Sequence, residues 1–332
     1  MGNAHHMKNV PGRKTDVKDA EWLGYLLRHG LLAKSFVPPQ PIRDLRDLLR
    51  YRRKLVESRT AERNRLSNLL ETANINLSSV ISDIFGASGM EMLHALLEGT
   101  ATPPQMAPFA KQRMRAKIPE LELALDGRLG DHHRFLLKMQ LSRLEQVDAD
   151  LARLEEHIEQ LLLPYQEQRR RLMTIPGVAR IVAAILIAEI GVDMSVFKSA
   201  SHLAAWAGVS PGKNESAGKK KSTETRKGNI HLKTALVEAA SAASRKKGSY
   251  FKDKFFRLKA RRGYKRAAMA IAHKILKTAY RLLSGEGEYQ DLGEAYLDHL
   301  DENRIVSNLV RRLERLGHVV QLTRKTPAPA PT

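Results

Sequence analysis

A mainly α-helical protein is what the sequence predicts, on three observations. Through residues 42–73 the apolar side chains Leu45, Leu48, Leu49, Leu55, Val56, Leu66 and Leu69 keep helical spacing, so the stretch reads as one long helix. Through residues 132–163, Leu137, Leu144, Leu151 and Ile158 recur every seven residues, with Val147, Leu154 and Leu161 at the complementary offset. That is the a/d seam of a coiled coil. After Pro164 come three apolar helical runs, through Ile181 and Ile190, through Leu232 and Ala240, and over residues 267–283.

Composition narrows the partners. Of 332 residues, 42% are hydrophobic, enough to fill real cores. Lysine and arginine outnumber the acids 56 to 36, a formal charge of +20, which makes a polyanion the default partner. A basic membrane protein is the competitor. No apolar run reaches the roughly 18 residues of a spanning helix, and no signal-peptide core opens the chain. With no cysteine there are no disulfides or thiolate metal sites, which fits a cytoplasmic protein. The expectation is a soluble nucleic-acid binder with no membrane partner.

Taken in order, the chain begins with a short basic stretch in which His5 and His6 read as incidental. Asp16 and Asp19 follow, three apart and so on one face of a helix. Two carboxylates there suit a divalent cation such as Mg²⁺; they equally suit the first turn of a helix, as cap and dipole partner. Pro38, Pro39 and Pro41 close this unit. The polar side of the helix over 42–73 carries Arg43, Arg46, Arg50, Arg52, Arg53, Arg59, Arg63 and Arg65, a solvated face or a phosphate-facing one. Residues 74–131 read as short helices broken at Gly86, Gly89, Gly99, Pro103, Pro104 and Pro119, without evident chemistry. In the seam beyond, Gln140 interrupts the d row, and the seam's partner is either the helix over 42–73 or a second protomer.

The apolar run after Pro164 is preceded by Thr174-Ile175-Pro176-Gly177-Val178-Ala179, which approximates the turn of a helix-hairpin-helix unit. Gly177 there is a candidate phosphate contact or a plain packing corner. Residues 206–229 hold five glycines or prolines and no hydrophobic period, so they read as a loop of a length that calls for a function. In it Ser216 precedes Ala217, Gly218 and three lysines, Lys219, Lys220 and Lys221, with Arg226 and Lys227 beyond. A hydroxyl in dense positive charge is a candidate nucleophile towards a phosphate ester, Ser222 being the runner-up, and the alternative is a solvated surface loop. Asn229 is placed to cap the next helix. Residues 245–266 contain eleven lysines or arginines and one acid, interleaved with aromatics. Phe251 and Phe255, four apart, belong to a core, which leaves Arg261, Arg262, Lys265 and Arg266 among the cations for phosphate. The Pro-Ala tail after a last charged helix reads as disordered.

Three segments together resemble one family. The run from Gly12 to Ala20, the Thr174–Gly177 turn, and the segment from Trp206-Ala207-Gly208 to Gly228-Asn229 with Ser216 recur in this order in the DEDD/serine transposases of bacterial insertion sequences. This is the insertion-sequence one-ten family, related to the Piv DNA invertases and including the bridge-RNA-guided recombinases. The resemblance implies a RuvC-like, ribonuclease-H α/β domain whose four acids hold Mg²⁺, with Asp16 and Asp19 matching the last two. It also implies a C-terminal helical domain in which Ser216 matches the nucleophile, and hence transposition by DNA strand cleavage and exchange. DNA, a guide RNA and a dimer or tetramer formed through the coiled coil are the implied partners, in a bacterial cytoplasm. The first two acids and the opening strands of the family pattern have no counterpart in this chain, so the metal site is expected to be incomplete and the copy inactive by itself. The expected division is a remnant of the DEDD domain over 1–40, the long basic helix and coiled coil over 41–165, the serine transposase domain over 166–300, and a charged helix with tail over 301–332. The competing reading is a non-catalytic helical protein that binds DNA or RNA.

Overall fold

The computed structural model describes residues 16–31, 36–211, 214–216, 219–222, 225, 227–285, 287–300 and 302–323; of 16–19, 214–216 and 219–222 it describes the backbone alone. The protein is mainly helical. In chain order the helices are α1 (Asp16–Arg28), α2 (Gln40–Thr72), α3 (Leu77–Val80), α4 (Ala87–Glu98), α5 (Pro103–Met106), α6 (Ile118–Leu125), α7 (Asp131–Leu161) and α8 (Gln166–Met173). They continue with α9 (Arg180–Ile190), α10 (Ala200–Trp206), α11 (Ile230–Ala243), α12 (Tyr250–Arg262), α13 (Tyr264–Ser284), α14 (Tyr296–His299) and α15 (Glu302–Arg315). One pair of strands, β1 (Asn214–Ser216) and β2 (Lys219–Ser222), lies between α10 and α11. Two compact units result: Arg43–Pro164, and a second built from Met1–Ile42 with Tyr165–Thr332.

In the unit Arg43–Pro164 the two long helices pair with each other. Ion pairs join Arg52 to Glu155, Arg59 to Asp148 at 3.4 Å, and Glu62 to Arg143 at 2.6 Å. The α7 numbers fall as the α2 numbers rise, so the helices run antiparallel. On α7, Leu137, Leu144, Val147, Leu151 and Ile158 are buried, while Leu154 and Leu161 are half-buried. The expected seam is thus covered from within this chain. The polar break at Gln140 is bypassed, because Leu141 takes the buried place one residue on. At one end the pair opens into a core where Leu66 and Leu70 of α2, Met92 and Leu93 of α4, Leu121 of α6 and Leu137 and Leu141 of α7 meet. Two expected breaks are not breaks. Gly89 lies inside α4, where a Cβ would sit 1.9 Å from the Ile84 carbonyl, so the glycine lets the chain leading into the helix fold back against it. Pro119 lies in the first turn of α6, where proline sacrifices no helical hydrogen bond.

In the second unit α13 is the central helix, packed by α10, α11 and α12. Its buried face, Ala267, Ala268, Ile271, Ala272, Ile275, Leu276 and Ala279, is rich in alanine, as is the face of α11 with Ala235, Ala239, Ala240 and Ala243. Small side chains let the two axes approach, and α11 and α13 form the closest-knit pair of the unit. Phe251 and Phe255, 1% and 2% exposed, anchor α12 in this core, as the spacing predicted. The chain before α2 joins the same unit: Phe36 packs its ring on Phe197 and Trp206, with centroids 5.1 and 5.7 Å away. Among the described residues of 16–42 there is a helix and no strand. No helix is long and apolar enough to cross a membrane.

Candidate nucleic-acid interface

The segment between α10 and α11 is held at its neck. Gly208, at φ +74°, ends α10: its N–H donates to the Ala205 carbonyl and that of Val209 to the Ala204 carbonyl, the hydrogen-bond pair of a left-handed helix stop. The chain returns at Gly228, packed so tightly that a Cβ there would lie 2.5 Å from the Gly208 nitrogen. Next to it Asn229 caps α11 as its position predicted, its Oδ1 accepting from the His231 and Leu232 N–H groups at 3.1 Å. The Asn229 amide donates to Glu189, a carboxylate only 2% exposed on α9. Two glycine backbones in contact and a capped helix tied to a buried acid therefore fix both ends of the segment.

Between those ends the sequence led us to expect no regular structure, and that expectation is overturned. Pro211 bridges Thr225, and β1 pairs with β2 antiparallel, Ser216 standing opposite Lys219 and Glu215 opposite Lys220, with a register shift between Asn214 and Glu215. The reason is geometric: the neck brings the two arms together, and only Ala217 and Gly218 separate the strands in sequence, the shortest common hairpin connection. Ser216 is the last residue of β1, and Lys219, Lys220 and Lys221 belong to β2. Their side chains, with all of Arg226, lie outside the described residues, whereas Lys227 is described and exposed.

At the foot of this hairpin runs a groove of ≈ 780 Å³. Val209, Pro211 and Thr225 line one side; Lys254, Arg261, Arg262, Lys265, Arg266 and Lys274 of α12 and α13 are the cations along it, and no acid among the described residues lines it. Four of the cations are those singled out from sequence. Arg261, Arg262, Lys265 and Arg266 are exposed and have no ion-pair partner among the described residues. Arg257, one turn earlier, is instead held by Asp253 at 2.8 Å and Asp298 at 2.7 Å, which hold its guanidinium charged more firmly than usual. Arg261 and Arg262 close α12, where the helix dipole favours positive charge, but Lys265 and Arg266 open α13, where it disfavours it. Placing cations against the dipole costs stability locally, and an anion in the groove offsets that cost. His273 also lines the groove, and burial, then Lys277 and Lys274, push its pKa below the usual histidine value. The ring is therefore neutral at neutral pH.

The remaining expected site residues fall elsewhere. Gly177 has a packing explanation: at φ +85° it meets α11 so closely that a Cβ would sit 2.1 Å from the Ala239 carbonyl and 2.7 Å from the Ala243 nitrogen. Its glycine identity needs no phosphate. Asp16 and Asp19 lie in the first turn of α1, and their side chains are outside the described residues. No group of three acidic, histidine or cysteine side chains among the described residues could hold a metal. Two acids on one helical turn do not complete a Mg²⁺ site, which needs about six oxygen ligands. Sequence reasoning missed Glu189, although it is the one charged residue in the apolar run 181–190. It also missed Lys254, His273 and Lys274, which reach the groove only because α12 folds back on α13.

Known proteins align with both parts of this arrangement. The model described as Transposase IS116/IS110/IS902 family matches residues 169–255, which include the neck, the hairpin and the start of α12. A second transposase model, of the DEDD type, matches residues 2–75. The transposase for insertion sequence element IS1111A of Coxiella burnetii is 26% identical over 292 residues, covering 86% of this chain and 71% of that protein. The putative transposase y4pF/y4sB of Sinorhizobium fredii is 29% identical over 218 residues, covering 64% of this chain and 50% of that protein. The chain thus spans about half the length of the second relative. Both matched segments are thus similar to transposase families, and both relatives carry transposase names.

Proposed function

We propose, from the premise of two transposase segments in one chain, that this protein acts in DNA strand cleavage and exchange during insertion-sequence transposition. The observation that carries the reading is the groove: a row of exposed cations with no acid among its described lining residues, at the foot of the hairpin that bears Ser216. In the proposed step the Ser216 oxygen attacks a backbone phosphorus. The bond from serine oxygen to phosphorus forms, the bond to the 3′ oxygen breaks, and the serine proton ends on that oxygen as a free 3′-hydroxyl. Lys219, Lys220 and Lys221, with Arg226 and Lys227, neutralise the crowded phosphates, and Arg261, Arg262, Lys265 and Arg266 hold the strand. Asp16 and Asp19 are two of the acids that would hold Mg²⁺, with further ligands from outside the described residues. A guide RNA, and a dimer or tetramer in which acids and serine come from different copies, belong to the same proposal. The cationic groove by itself equally suits a second reading, a DNA- or RNA-binding protein without catalysis.

A Ser216→Ala comparison separates the two. Wild type, incubated with end-labelled DNA and Mg²⁺, is expected to yield a covalent protein–DNA adduct that maps to a phosphoserine at position 216. The variant is expected to bind DNA equally and give none. Wild type that forms no adduct with any divalent metal, while still binding, removes the enzymatic reading and leaves the binder.

A further inference from the structure

The cationic face of α13 continues past the groove. Lys274 lines the groove and also a second cavity of ≈ 450 Å³, walled by α13, the start of α12 and residues 288–296. Here the lining changes character: Tyr250, Tyr289 and Tyr296 stand with Lys274, Lys277 and Arg281. Residues 274, 277 and 281 fall on one helical face, and none of the three cations has an acid partner among the described residues. The one acid on the wall with a partner across the fold is Glu288, held by Arg170.

The aromatic side is already assembled. Tyr289 stacks on the buried ring of Phe251 at 5.6 Å and 10°, and Tyr296 meets Tyr250 edge-on at 5.7 Å. The Tyr289 hydroxyl is buried without a hydrogen-bond partner among the described residues, a condition that calls for an explanation in a native fold. Burial, then Asp291 and Tyr250, push its pKa up, so the hydroxyl stays protonated and remains a donor. Unpaired cations argue against an apolar ligand and against a metal ion. A simple anion leaves the half-buried rings of Tyr289 and Tyr296 unaccounted for. A planar ring carrying a phosphate uses those two rings, backed by Phe251 and Tyr250, together with the cations.

We propose that this cavity binds one unstacked nucleotide of a single-stranded nucleic acid running along α13 from the groove, its base against the tyrosines and its phosphate on Lys277 and Arg281. The proposal rests on the reading of the groove as a nucleic-acid track. From Arg266 to Arg281 the helix covers about 22 Å, so groove and cavity lie within reach of one short strand.

The test uses the full chain and three probes: a short single-stranded DNA, the same sequence as duplex, and adenosine monophosphate. For Lys277→Gln/Arg281→Gln and, separately, Tyr296→Ala, single-strand affinity is expected to fall by roughly five- to a hundred-fold, the range of one lost base stack, with duplex affinity held. Duplex binding also reports that the variants are folded. Tyr289→Phe, which removes only the hydroxyl, is expected to alter the preference among bases. A 5-iodouracil strand is expected to cross-link to Tyr289 or Tyr296. Equal loss for single strand and duplex, no loss for either, or cross-links confined to other peptides would overturn the cavity. Mononucleotide binding as tight as that of the strand overturns its connection to the track. Failure of the groove is read separately: Arg261→Gln/Lys265→Gln that leaves both DNA probes bound as in wild type removes the groove reading whatever the cavity shows.

Discussion

Arg52 and Arg59 of α2 end on Glu155 and Asp148 of α7, whereas Arg261 and Arg262 of α12 end on no acid among the described residues. Both helices read as basic faces of similar promise. On α2, Arg53 is held by Glu57, Arg65 by the buried Glu62, and Arg63 lies over the Phe85 ring, while Arg43, Arg46 and Arg50 also have partners. The difference is the supply of acids. An antiparallel neighbour with Glu155, Asp148 and, through Arg143, a shared Glu62 turns the α2 arginines into internal struts. The end of α12 and the start of α13 have no such neighbour among the described residues. What separates a strut from a binding surface is whether its counter-charge is already in the fold.

The largest expected effect would break this contrast if it failed. Neutralising Arg261, Arg262 and Lys265 together to glutamine is expected to weaken DNA binding about a hundred-fold near 0.1 M salt and to lower the slope of log affinity against log salt by about 3. Arg52→Gln/Arg59→Gln is expected to leave both within about two-fold, measured side by side by fluorescence anisotropy. Equal losses from the two variants would mean that α2 is also a track.

A second effect sharpens it from the stability side. Glu62, 2% exposed, accepts a hydrogen bond from Arg65 at 2.7 Å and pairs with Arg143 at 2.6 Å. Glu62→Gln keeps an acceptor oxygen but removes the buried negative charge that both arginines pair with, and is expected to cost about 2 kcal/mol, read from the urea midpoint, without changing the salt slope. A variant as stable as wild type would show the struts to be ornamental.

The smallest effect is a pH dependence. His273 has a pKa below its ordinary value, and phosphates brought beside it would raise that pKa. Binding then takes up a proton, so affinity is expected to rise a few-fold as pH falls through the histidine range. His273→Gln should flatten the rise. In the unbound protein the sign is opposite for stability: a depressed histidine leaves the fold undisturbed above the unfolded-state pKa and weakens it as pH falls below. A profile that does not respond to the substitution would place the proton elsewhere.

By itself the sequence determined what local spacing controls. Helical periods placed the two long helices, the i to i+4 pair Phe251 and Phe255 announced a core, and Asn229 before an apolar period announced a cap, because each rests on interactions within a few residues. The unpartnered cations at 261, 262, 265 and 266 were also in view as a charge excess. Tertiary structure alone decided the rest. Pairing of β1 with β2 follows from Gly208 and Gly228 meeting twenty residues apart. The covering of the seam, the tie from Glu189 to Asn229 and the joining of Lys254 and Lys274 to one groove likewise depend on which helix comes to lie beside which. A charge or a hydroxyl has a role only relative to its neighbours, and for these residues the neighbours are supplied by distant parts of the chain.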